Sequence, residues 1–172
     1  MDEDRRNVVL TGFMGTGKTT VGRLLADLLL YDFLDTDHVI EVRHGPIPEI
    51  FAEHGEGEFR RLERELCAEL AQRDGLVIST GGRLMVDPVN AEVLAASSSV
   101  YCLTAPVDTI LERVAADDEL VERPLLAETD VRARVTELLA ERAHAYERFE
   151  QIDTDGRSAE DVAADLAVRL RS

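Results

Sequence analysis

Basic residues are scarce: 19 Lys and Arg stand against 35 Asp and Glu in 172 residues, a net charge of −16 at pH 7. A field of that sign repels phosphate backbones at long range, which sets aside a nucleic-acid partner. A small anionic ligand must therefore meet positive charge arranged locally. Much of the acid lies on helical faces, as at Glu63, Glu65 and Glu69, where a solvated surface is the expectation. Cysteine is rarer still. Cys67 and Cys102 each lie within an apolar pattern with no partner histidine nearby, which favours buried structural thiols over a disulfide or a nucleophile. No apolar run approaches the ~18 residues of a membrane span, and the charged start Met1-Asp2-Glu3-Asp4-Arg5-Arg6 does not have the form of a signal peptide. A cytoplasmic protein with no membrane partner is expected. Repeats, low-complexity tracts and interdomain linkers are also missing, and with 45% hydrophobic residues the length suits one domain, residues 1–172, around one buried core.

What is present begins with a phosphate-binding pattern. Gly12-Phe13-Met14-Gly15-Thr16-Gly17-Lys18-Thr19 fits G-x-x-x-x-G-K-[ST], and it follows the apolar run Val8-Val9-Leu10 and precedes Thr20-Val21-Gly22-Arg23-Leu24-Leu25-Ala26, whose apolar positions recur at helical spacing. The motif thus sits between a strand and a helix. There the glycines Gly12, Gly15 and Gly17, with Thr16 and Thr20 beside them, let backbone N–H groups wrap a nucleoside triphosphate, and the helix N-terminus adds positive dipole. Lys18 is placed to reach the β- and γ-phosphates and Thr19 to ligate Mg²⁺.

Short apolar runs at 8–11, 76–79, 100–103 and 151–154 alternate with helical patterns, which argues for a parallel sheet wrapped by helices. Phe59, Leu62, Leu66 and Leu70 mark one helix face; Val131, Val135, Leu138, Leu139 and Tyr146 mark another. Asp87-Pro88 offers a cap and an N1 proline, and Ser158-Ala159-Glu160-Asp161 opens the last helix. The acidic stretch Asp117-Asp118-Glu119-Leu120-Val121-Glu122 before Arg123-Pro124 reads as a mobile loop.

Asp35-Thr36-Asp37 follows a second short strand that ends near Leu34. Ligands gather at the C-terminal ends of parallel strands, so one carboxylate there suits Mg²⁺ and the other a substrate hydroxyl; standing alone, the triplet would read as a turn or a helix cap. Arg60, near the start of a helix, can be held by Glu63 three residues on, with part of its fork left for a ligand anion, or it can form an ordinary surface ion pair. Gly81 and Gly82 end the third strand and permit close backbone approach. Arg113, Arg123 and Arg142 complete the basic set, with Arg123 poised after the acidic loop to swing over a γ-phosphate.

In this order and at similar spacing, the P-loop, Asp35-Thr36-Asp37, Gly55-Glu56 with Phe59-Arg60 and Glu63, Gly81-Gly82, Arg123-Pro124-Leu125-Leu126, and Arg142 through Tyr146 resemble the shikimate kinase family, over roughly residues 7–156. The resemblance implies an α/β, three-layer, nucleoside-monophosphate-kinase-like P-loop fold. Its five-stranded parallel sheet would have order 2-3-1-4-5, flanked by helices, with a lid near residues 115–127. It implies transfer of the ATP γ-phosphoryl to the 3-hydroxyl of shikimate, in aromatic amino-acid biosynthesis; a monomer is expected. Carried over, Lys18 and the P-loop backbone hold the phosphates, and Thr19 and Asp35 the magnesium. Asp37 takes the substrate hydroxyls, Arg60 and Arg142 the carboxylate, Gly81 and Gly82 the ring. Arg123 is the lid arginine, and Arg113 lies against adenine.

Two departures stand out. Where the family pattern has a third consecutive glycine this chain has Arg83, and where it has Arg-x-Pro-Leu-Tyr this chain has Arg142-Ala143-His144-Ala145-Tyr146. Arg83 either points to solvent, the favoured expectation, or adds a cation to the acceptor pocket and signals another small hydroxylated acid. A catalytically silent nucleotide-binding protein is the remaining alternative, against which Lys18, Asp37, Arg60 and Arg123 speak.

Overall fold

The computed structural model describes residues 5–116 and 130–172. Five parallel strands form one sheet of order β2-β3-β1-β4-β5. They are β1 (Asn7–Thr11), β2 (Asp32–Asp35), β3 (Leu76–Ser79), β4 (Ser98–Thr104) and β5 (Glu150–Asp153). Parallel neighbours require crossovers, and helices supply them. These are α1 (Lys18–Leu29), α2 (Thr36–His44), α3 (Ile47–His54), α4 (Glu56–Leu70), α5 (Pro88–Ser97), α6 (Val107–Ala116), α7 (Val131–Tyr146) and α8 (Ala159–Leu170).

Alternation along the central strand divides the core. Val8 and Leu10 join Leu25, Leu103, Ile152 and Leu166 on the face covered by α1 and α8, whereas Val9 joins Ile78, Phe59, Leu66 and Leu94 on the face covered by α4 and α5. Burial of one such leucine is worth about 1.5–3 kcal/mol. A third apolar group, Phe13, Ile110, Val114, Val135 and Leu138, packs α6 and α7 beneath the phosphate loop. Asn7 is fully buried at the base of β1. Its side chain donates to the carbonyls of Leu70 and Arg73 at 3.1 and 2.6 Å and accepts from Leu76 N at 2.9 Å, tying the end of α4 to the start of β3.

The expected caps are present. Asp87 accepts from Val89 N at 2.9 Å and Ser158 Oγ accepts from Asp161 N at 3.1 Å. Both cysteines are buried and unpaired, and desolvation pushes the Cys67 thiol up to about 12 and that of Cys102 to about 11. Helices α2 and α3 have no counterpart in the sequence reading, because they bury little: Thr36 and Ile40 in one, Ile50 in the other. Among the described residues, no helix is long and apolar enough to cross a membrane.

Candidate active site

The first β–α turn is built to receive anions. Gly12, Gly15 and Gly17 adopt φ of 132°, 76° and 96°, and a Cβ on Gly12 would collide with the Leu103 carbonyl of β4. Thr16 Oγ1 donates to the Phe13 carbonyl at 2.7 Å, which braces the loop from inside. Lys18 folds back along it, its Nζ donating to the carbonyls of Gly12 at 2.6 Å and Phe13 at 3.0 Å. The N-terminus of α1 carries no side-chain cap and no acid in its first turn, where Thr19 and Thr20 are exposed. Its amides and dipole are thus left for a ligand.

Asp35 is both a cap and a neighbour of that turn. Its Oδ1 accepts from His38 N at 3.1 Å, while Oδ2 lies 3.5 Å from Thr19 Oγ1. The cap and the ligand readings of the Asp35-Thr36-Asp37 triplet are therefore compatible, since different oxygens serve them. Thr36, read only as a spacer in the sequence, is buried and accepts the Gly81 amide at 2.9 Å. That bond brings the start of α2 against the end of β3, and the Asp37 carboxylate lies where a Cβ on Gly81 would be. Any larger residue there would displace that carboxylate.

Across the same turn, Arg142 Nη1 lies 3.4 Å from the Gly82 carbonyl, and Tyr146 Oη donates to that carbonyl at 2.6 Å. Burial raises the Tyr146 phenol above its ordinary range, so it remains a donor. The Arg142 guanidinium sits 5.1 Å from the ring centroid of Phe13, a P-loop residue whose sequence signal was hidden among the variable positions of the motif. Behind this contact Phe13, Cys102, Tyr146 and Gln151 border a cavity of about 170 Å³.

On α4, Arg60 Nη1 donates to Glu63 Oε1 at 2.5 Å. Contrary to the solvated role expected of its face, Glu63 is buried, at 2% exposure. Its carboxyl is pushed up to about 7, first by desolvation, with Arg60 opposing and the nearby Asp37 charge adding to the rise. One turn earlier Glu56 Oε1 lies 3.4 Å from Arg60 Nε and 3.3 Å from Nη2. Arg83 turns toward that same oxygen, its Nη1 at 3.4 Å, and remains half exposed.

Arg113 reaches from α6 to the carbonyl of Gly15 at 3.2 Å and to Thr154 Oγ1 and O at 2.9 Å each. It joins the phosphate loop to the segment after β5. Arg123 and most of the expected lid lie outside the described residues.

A phosphate-cradling loop opening onto a carboxylate, a glycine turn and two arginines, all at the C-terminal edge of a parallel sheet, defines a P-loop phosphotransferase of the small-molecule kinase class. The family model for shikimate kinase matches residues 14–171. A shikimate kinase of Geobacter sulfurreducens is 44% identical over 170 residues, covering 98% of this chain and 92% of its own. One from Thermus thermophilus is 42% identical over 165 residues, 95% of this chain and 89% of its own. A solved shikimate kinase from Acinetobacter baumannii in complex with shikimate superposes with a TM-score of 0.87 at 38% identity, covering 96% of this chain and 93% of that one. The chain belongs to the shikimate kinase family.

Proposed function

We propose that this enzyme transfers the γ-phosphoryl group of Mg·ATP to the 3-hydroxyl of shikimate. The observation that carries the reading is the Asp37 carboxylate seated against Gly81, with Arg142 over Gly82 and the Arg60–Glu63 pair beside it, next to the phosphate loop. A hydroxyl donor and a carboxylate on one small ring would meet a carboxylate and two guanidiniums, each where its charge is wanted.

Phosphoryl transfer through a loose transition state leaves little covalent work to the protein, so position and field do most of it. The loop amides and α1 N-terminus hold the phosphates, and Lys18 releases the Gly12 and Phe13 carbonyls to reach the transferring group. Thr19 and Asp35 supply two oxygens suited to Mg²⁺, which bound there would neutralise charge on the β- and γ-phosphates. Asp37 orients the acceptor hydroxyl and takes its proton. Arg60 and Arg142 hold the acceptor carboxylate, and Arg113 borders the adenine. Arg83 turns to Glu56 and stays half exposed, which supports an acceptor with no further anion.

A coupled assay for ADP release over a panel of cyclic hydroxy acids tests this. Shikimate should lead the panel, and Arg60→Ala and Arg142→Ala should each raise its KM by about 10- to 150-fold, the worth of a hydrogen bond to a charged group, with the ATP KM within about twofold. Preference for another acid would move the assignment to that acceptor.

A further inference from the structure

Glu56 is the first residue of α4, and its place there has an ordinary explanation. A carboxylate at a helix N-terminus meets the dipole, and an arginine four residues on completes an i,i+4 pair. Its consequence for Arg60 is less ordinary. Glu63 takes Nη1, while Nε and Nη2, the edge with which a guanidinium receives a carboxylate side-on, both face Glu56 Oε1. An internal carboxylate thus covers the donors that the reading above gives to the acceptor.

The same Oε1 meets Arg83, which comes from the turn after β3 and owes nothing to the helix. All three contacts, at 3.3 to 3.4 Å, are longer than the ~2.7–2.9 Å of a tight charge-assisted bond. Glu56 is therefore shared loosely between two arginines. With 55% and 52% of their side-chain surfaces exposed, Glu56 and Arg83 can change partners at small desolvation cost.

We propose that Glu56 and Arg83 tune acceptor affinity by carboxylate exchange: Glu56 shields Arg60 in the empty site, and Arg83 receives Glu56 when the acceptor carboxylate displaces it. Both are positioning residues that act through Arg60. The exchange rests on Arg60 being an acceptor-binding residue, and it gives the arginine at a family glycine position a role without bringing it into the pocket.

A double-mutant cycle with Glu56→Gln and Arg83→Ala, read as KM and calorimetric Kd for shikimate and for ATP, tests it. Glu56→Gln should lower the shikimate KM about two- to fivefold, the range of an exposed ion pair, and Arg83→Ala should raise it by a similar factor. In the Glu56→Gln background Arg83→Ala should have no effect; with Glu56 present, Arg83→Lys should keep most of the wild-type value, and ATP constants should be unmoved throughout. An Arg83→Ala loss that persists beside Glu56→Gln would mean that Arg83 meets the acceptor directly, and a raised KM in Glu56→Gln alone would mean that Glu56 supports Arg60; either overturns the exchange. Arg60→Ala separates the two layers. A normal loss there with a flat cycle removes the exchange alone, whereas an unchanged shikimate KM removes the acceptor site beneath it.

Discussion

Thr36 Oγ1 accepts the backbone amide of Gly81 at 2.9 Å, so the residue that opens α2 is bonded to the turn that ends β3. Asp37 is the next residue, and its carboxylate is aimed by that bond and by the absence of a Cβ on Gly81.

Thr36→Val therefore leaves the Gly81 amide without its acceptor, at a cost of about 1–3 kcal/mol, and loosens Asp37. Chemical denaturation should show the loss. Steady-state kinetics should show a fall in kcat larger than any change in ATP KM, and Thr36→Ser should restore both.

Lys18 is the one lysine of the chain, and the other 18 of its 19 Lys and Arg are arginines. Lys18→Met should lower kcat by about two to three orders of magnitude, comparable to removing one oxyanion donor, with little change in Tm. Acylation with an amine-directed reagent should inactivate in step with modification of this single side chain, and Mg·ATP should protect it. Near-normal turnover of the methionine variant would falsify the phosphate-loop assignment.

Asp37→Asn keeps size and polarity but removes the charge proposed to orient and deprotonate the acceptor hydroxyl. A kcat loss of about 10²–10⁴ is expected, with calorimetric ATP affinity nearly unchanged. A matching loss of nucleotide affinity would instead place Asp37 on the metal.

Glu63 gives a pH signature. Its carboxyl is raised from 4.5 to about 7, so between those values the folded chain binds more protons than the unfolded one, and stability falls as pH rises through that window. At ~1.4 kcal/mol per unit the difference is on the order of 3 kcal/mol. Relative to wild type, Glu63→Gln should gain stability by about that amount between pH 4.5 and pH 8 in urea titrations. Parallel pH profiles for the two proteins would show that Glu63 titrates normally.

The phosphate loop, the strand alternation and the faces of α4 and α7 were legible because each is a local pattern with a period or a fixed spacing. Sheet order came through the resemblance, which carries the register of distant segments, and the expected acceptor residues rest on the same resemblance. Helices α2 and α3 were not legible, since they are only 9 and 8 residues long and bury one apolar side chain each, Ile40 and Ile50. Nor was the burial of Glu63: on a helix rich in acids, the one that turns inward differs from its neighbours only by the company it keeps in three dimensions. Thr36 and Phe13 were hidden for a similar reason, because a spacer within a motif shows no sign of what folds against it.

The burial of both thiols gives the enzyme two built-in clocks. Cys67 sits on the buried face of α4 and Cys102 in β4 beside the cavity beneath α7, each almost wholly protonated at neutral pH and shielded from reagents. An alkylating agent can reach Cys67 only when α4 lifts its inner face from the sheet, and Cys102 only when α7 moves off the cavity. The rates at which the two sulfurs are labelled would therefore time, separately, the lifting of α4 and of α7, with no foreign probe introduced.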